Sequence, residues 1–159
     1  MHLVRLAGGL IGAAMVAVAV PATTGAGPFG SAAPRPAEAA SSCNDTKAVT
    51  KQSGGQKATA KIPANRGSMN CLLGPGNRQG GVRTLQLALN ACYRPYLDHA
   101  LKLDGAYGPE TQKAVRVVQR RAGIRQDGIY GPQTAKAMKW PFGRNASPPV
   151  QCEQLGSAR

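Results

Sequence analysis

The chain has 159 residues, with 20 Lys and Arg against seven Asp and Glu, a formal net charge of +13, four cysteines and two histidines. That length supports one ordinary domain, and so few acids and histidines leave little material for acid–base or metal chemistry. The positive excess favours partners that carry negative charge.

Met1 to about Ala26 reads as a secretory signal peptide. Arg5 supplies a positive start, Leu6 to Val20 an apolar core, and Thr24-Gly25-Ala26 a small-residue cleavage site. The apolar stretch falls short of the ~20 residues that span a bilayer. Loss of the signal removes only Arg5 from the basic residues and none of the acids. An exported basic chain meets anionic wall polymers such as teichoic acid rather than nucleic acid, which is not expected as a partner. A secreted or cell-wall-associated location follows.

Cys43, Cys71, Cys92 and Cys152 all lie in the mature part, and an even count in a small exported protein reads as two disulfides. Of the three possible pairings, Cys71–Cys92 with Cys43–Cys152 is favoured. The first would close a loop of about twenty residues, worth ~3 kcal/mol in the chain-entropy model. Zinc is the competing use, but there is no C-x-x-C pair and His99 is the only histidine after the signal. No metal or cofactor is expected.

Residues 27–42, rich in Pro, Ala, Gly and Ser, read as a flexible leader. Residues 43–70 form a basic polar extension with Lys47, Lys51, Lys57, Lys61 and Arg66. Val49 and Ile62 are too few for a core of its own, so this stretch is either an arm that adheres to the wall or a solvated extension held by Cys43.

From Cys71 the pattern changes. Gly74-Pro75-Gly76 is a turn. A first helix is expected from Val82 to about Cys92, with Val82, Leu85, Leu89 and Cys92 on one face. A second runs from Pro109 to about Ala122, with Ala114, Val115, Val118 and Ala122 inward, Lys113, Arg116 and Arg120 on another face, and Gly123 as its C-terminal cap. A third, short helix runs from Pro132 to about Lys139, and residues 141–159 are a tail.

The second and third helices follow an octet that occurs twice, Asp104-Gly105-Ala106-Tyr107-Gly108-Pro109-Glu110-Thr111 and Asp127-Gly128-Ile129-Tyr130-Gly131-Pro132-Gln133-Thr134. In each, Asp-Gly supplies a turn, Tyr an aromatic anchor and Gly-Pro a helix start. Val82-Arg83-Thr84-Leu85-Gln86 echoes Val115-Arg116-Val117-Val118-Gln119. A duplicated helix–loop unit, lengthened in its first copy around residues 93–99, accounts for both echoes.

The doubled D-G-x-Y-G-P-x-T and the V-R-x-x-Q pair resemble the small peptidoglycan-binding domain found beside many bacterial cell-wall hydrolases, over about Cys71 to Met138. The resemblance implies an all-α fold, a compact three-helix bundle with ordered loops (71–140), to which disulfides tie the basic extension and the tail. Val118 stands where the resembling domains carry a large aromatic, which implies a thinner core there. It also implies peptidoglycan as partner; the family's module targets an attached hydrolase, and here the expected roles are acting alone, recruiting a separate hydrolase or protecting the wall, with a monomer expected.

For ligand contact the candidates are Asp104, Tyr107, Thr111, Arg116, Arg120, Asp127 and Tyr130, around a groove between the octet loops and the second helix. Tyr covers a sugar or peptide face and Arg pairs with stem-peptide carboxylates. The bland reading packs Tyr107 and Tyr130 into the core, leaves the arginines on a solvated face, and has Trp140, just past the third helix, cover the core rather than form a stacking platform with Phe142. Gln86 and Gln119 are expected to satisfy loop backbone groups. No nucleophile, zinc set or carboxylate pair for catalysis is assembled: Asp104 and Asp127 are needed by their turns, and His99 beside Asp98 reads as a surface pair. The expectation is a non-enzymatic, secreted peptidoglycan-binding protein. The alternatives are an accessory or weak cell-wall hydrolase and a basic polyanion binder.

Overall fold

The computed structural model describes residues 41–53, 56–144 and 147–156. The expected signal peptide and most of the leader lie outside the described residues. The fold is mixed α/β, and this corrects the expected all-α bundle. Its elements are β1 (Asp45–Ser53), β2 (Gln56–Ala64), α1 (Gly80–Tyr93), a 3-10 turn (Arg94–Tyr96), α2 (Pro109–Arg121), α3 (Pro132–Ala137), β3 (Lys139–Arg144) and β4 (Ser147–Gln154). The strands make one antiparallel sheet in the order β1-β2-β3-β4.

The sheet is made by the two stretches read from sequence as extension and tail. β1 and β2 pair without interruption from Asp45↔Ala64 to Ser53↔Gln56, and only Gly54-Gly55 separates them in sequence. Along β2 the side chains alternate: Ala60, Ile62 and Ala64 are buried while Lys57, Thr59 and Lys61 are exposed. The buried face packs on α1, so the hairpin needs no core of its own. The outer face carries Lys57, Lys61 and a Thr50–Thr59 hydroxyl pair at 3.0 Å. Lys51 lies on the other face, 5.1 Å over the Phe142 ring and 3.8 Å from Glu153, with its ammonium donating to the Gln154 carbonyl. The lysines therefore belong to both faces of a folded hairpin and do not form a solvated arm.

β3 joins β2 through Thr59↔Gly143 and β4 through Lys139↔Gln154 to Arg144↔Ser147, with a bulge between Phe142 and Arg144. Trp140 and Phe142 point inward and are buried. The Trp140 indole N–H donates to the Ala135 carbonyl at 2.9 Å, and its ring stands edge-on to Tyr130 at 6.1 Å. As the bland reading had it, Trp140 covers the core, and Phe142 is buried with it.

The helices follow the sequence pattern to within two residues. α2 and α3 each begin at proline, after Gly108 and Gly131 in extended conformation. α2 ends in a Schellman motif, in which Gly123 at φ +67° donates to the Arg120 carbonyl and Ile124 to that of Gln119.

The disulfides are Cys43–Cys71 and Cys92–Cys152, not the pairing favoured from sequence. Gly81, at the start of α1, packs so closely on Cys43 that an added methyl would meet its carbonyl oxygen. Cys71 is thus held near the first turn of α1. Cys92 lies eleven residues further along, a rise of roughly 16 Å, out of disulfide reach. There it meets β4 instead.

Candidate functional site

The octet loops are built around two buried glutamines with the same hydrogen-bond set. The Gln86 amide nitrogen donates to Asp104 Oδ1 (3.0 Å), the Ala106 carbonyl (3.0 Å) and Thr111 Oγ1 (3.3 Å), and its oxygen accepts from Gly105 N–H at 3.0 Å. The Gln119 nitrogen donates to Asp127 Oδ1 (2.8 Å), the Ile129 carbonyl (3.0 Å) and Thr134 Oγ1 (3.2 Å), and its oxygen accepts from Gly128 N–H at 2.9 Å. Each Asp also accepts from the backbone N–H two residues on, Ala106 or Ile129, at 2.9 Å. Gly105 and Gly128 sit at φ +69° and +71°, the left-handed conformation that glycine adopts without a Cβ penalty. One amide thus ties together a turn, its carboxylate and the helix that follows.

These bonds set the carboxylates' acidity. N–H donation from Ala106 and Gln86 holds Asp104 below its ordinary pKa. For Asp127, burial pulls upward, but the hydrogen bonds from Ile129 and Gln119, with Arg125 nearby, leave it lowered as well.

The structure brings the two loops together. Tyr107 crosses from the first, its hydroxyl donating to the Gly128 carbonyl of the second at 2.9 Å. The segment 73–78 stitches both: Leu73 exchanges backbone hydrogen bonds with Tyr130, and Asn77 accepts from Tyr107 N–H at 2.8 Å. The Asn77 side chain accepts from Gly74 N–H and donates to Ser42 Oγ. Sequence reading took this segment only as a turn and missed its part in joining the units, although Asn77 just after Gly74-Pro75-Gly76 was a usable turn signal.

Of the residues expected to touch ligand, most are structural. Tyr107 and Tyr130 are 3% and 0% exposed, and burial raises the pKa of both hydroxyls. The Tyr130 hydroxyl has no hydrogen-bond partner. Neither ring offers a face to solvent. Thr111 is buried against Gln86, and Asp104 and Asp127 each spend one carboxylate oxygen, Oδ1, inside their own loops. Arg116 and Arg120 are exposed on α2. Arg116 lies across Gly128, its Nε 2.8 Å from where a Cβ would stand, and Arg125 Nε is 4.0 Å from Asp127. His99 lies 3.6 Å from Glu110, which also pairs with Lys113 at 3.0 Å, all three exposed.

Two further features gave no sequence signal. The Arg121 guanidinium stacks over the Tyr96 ring with 3.4 Å from its carbon to the ring centroid, and Tyr96 is 48% exposed. Beside them is a cleft of about 240 Å³ that no octet residue lines and Val118 does. Among the described residues there is no group of three or more His, Cys, Asp and Glu that could hold a metal ion, and no helix is long and apolar enough to cross a membrane.

Comparison with curated proteins finds no match to the chain. The segment 78–138, which carries both glutamine-clamped units, matches the family described as "Putative peptidoglycan binding domain".

Proposed function

We propose that this is an exported, non-catalytic protein that adheres to bacterial peptidoglycan. The observation that carries the reading is the fused pair of clamped loop–helix units within a segment that matches the peptidoglycan-binding family. Two cystines suit an oxidising compartment, in line with the signal-like start of the sequence.

The acid–base properties of the loops favour holding over cutting. A glycosidase needs one carboxylic acid that stays protonated near neutrality. Asp104 and Asp127 are both driven the other way, toward the ionised form, by bonds that also build their turns. Glu110 is exposed between His99 and Lys113, and Glu153 faces Lys51. The exposed side of α2, with Arg116 and Arg120, is the surface we assign to wall contact, where guanidinium groups suit stem-peptide carboxylates. The remaining lysines add long-range attraction to anionic wall polymers.

The test is incubation of the oxidised protein with purified sacculi stripped of teichoic acid. The protein should sediment with the sacculi, and no muropeptide should appear in the supernatant over hours. Soluble fragments would establish hydrolysis and overturn the non-catalytic reading.

A further inference from the structure

The 240 Å³ cleft is chemically one-sided. Its floor includes Val118 and Ala137, one wall is the Cys92–Cys152 bridge, and Arg121, Lys139 and Tyr96 stand around it with Tyr93. No Asp or Glu lines it. Neither Arg121 nor Lys139 is paired with a carboxylate among the described residues. The stack on Tyr96 positions Arg121 without spending its N–H donors. Tyr93 is buried, and its oxygen accepts from the Lys139 N–H at 2.7 Å while its own proton has no acceptor. Burial raises the Tyr93 pKa against the lowering effects of that bond and of Arg121, so the hydroxyl remains a donor at neutral pH.

A buried unspent O–H, a guanidinium fixed by stacking and the Lys139 side chain therefore line one hollow, whose surface is part polar and part apolar. We infer that this cleft receives the free C-terminal carboxylate of a short peptide ending in a small apolar residue. The guanidinium fork matches a carboxylate bidentately, and the tyrosine adds one directional donor. The hollow has room for about eight waters at ~30 Å³ each, enough for a methyl-sized side chain and the adjoining peptide unit. If the chain binds peptidoglycan as proposed, stem peptides supply such an end, and the cleft would read wall peptides apart from the α2 surface.

The experiment titrates the oxidised, isotope-labelled protein with N-acetyl-D-alanyl-D-alanine, its C-terminal amide and inorganic phosphate, followed by NMR, with sacculus sedimentation in parallel. The free acid should give saturable shifts centred on Tyr93, Val118, Arg121 and Lys139. The amide should bind at least about tenfold more weakly, the loss expected when charge-assisted hydrogen bonds are removed. Arg121→Gln should weaken the acid by a similar factor, and Val118→Phe should fill the hollow and abolish the shifts. Should Val118→Phe fail to fold, the Arg121→Gln comparison decides. Equal binding of acid and amide, phosphate competing as well as peptide, or no localised shifts would each overturn the inference. Sedimentation without peptide shifts would sink the cleft and leave wall binding intact. Peptide shifts without sedimentation would sink wall binding and leave the cleft.

Discussion

Replacing Gln119 by Ala should be among the costliest single changes outside the disulfides. The substitution removes two N–H donors shared among three acceptors, and one accepted bond, from a side chain that is 2% exposed. The partners do not all suffer equally. Asp127 is exposed and turns to water, and Thr134 keeps its own bond to the Ile129 carbonyl at 3.3 Å. Gly128 is buried, and its N–H is left without an acceptor, a penalty of ~1–3 kcal/mol. With the cavity left by the truncated side chain, the total is ~2–4 kcal/mol, a large share of the ~5–15 kcal/mol that holds a typical domain. The matching Gln86→Ala should cost less, ~1–2 kcal/mol, because Gly105 is only half-buried and water can take its N–H. Urea unfolding with disulfides intact, followed by far-UV circular dichroism and by the fluorescence of buried Trp140, would measure both. A Gln119→Ala midpoint equal to that of the native protein, or a Gln86→Ala loss larger than that of Gln119→Ala, would refute the clamp as the organising element.

Tyr107→Phe should lose ~1 kcal/mol with its bond to Gly128, while Tyr130→Phe, which removes an unpartnered hydroxyl, should be neutral or stabilising; sacculus binding should be unchanged in both, and urea midpoints with sedimentation check this. Gly81→Ala drives a methyl into the Cys43 backbone and should cost ~1–3 kcal/mol by overpacking. Gly128→Ala meets side-chain atoms of Gln112 and Arg116 and also takes a positive φ, so it should cost at least the ~1–2 kcal/mol of that conformation; thermal melts of the two variants measure both costs. Opening Cys92–Cys152, which spans 60 residues against 28 for Cys43–Cys71, should lower stability more, by ~4 kcal/mol in the chain-entropy model, as paired Cys→Ser variants in calorimetry would show. Asp104 and Asp127 both titrate below their ordinary 3.8 when folded, so the stability they confer is complete above that value and is lost as pH falls through the folded pKa values. The urea midpoint should therefore drop on acidification below about pH 4, and less steeply in Asp127→Asn.

Where the chain obeys a local rule, its fold was legible. The Asp-Gly turns, the proline-led helices and the Gly123 cap each follow from residues a few positions apart, and Gln86 and Gln119, at matching places in the V-R-x-x-Q echo, bond the loop backbone as expected. The sheet was not, for identifiable reasons. The buried face of β2 is Ala60, Ile62 and Ala64, small residues that make a weak apolar signal and pack only because α1 covers them. The alternation of Ala58-Thr59-Ala60-Lys61-Ile62 and the Gly54-Gly55 pair were the usable clues. Residues 141–159 read as a tail, yet Pro141 lies in β3, and Pro148-Pro149 lie in the edge strand β4, where a missing N–H is tolerated. The pairing of Thr59 with Gly143, the cystine pattern and the stacking of Arg121 on Tyr96 join residues distant in sequence, beyond the reach of any local pattern. Of the candidate site residues, Arg116 and Arg120 are on the surface, while the tyrosines went to the core, where the Tyr107 hydroxyl bonds the second loop and the Tyr130 ring packs edge-on against Trp140.

The most direct test of the central claim, that the clamped pair of units recognises peptidoglycan itself, is a binding isotherm on teichoic-acid-free sacculi at low salt and again near 1 M, where screening shortens the Debye length to ~3 Å. Saturable binding that persists at high salt is the predicted result. Binding that disappears as salt rises would show a charge-driven polyanion binder and contradict the account.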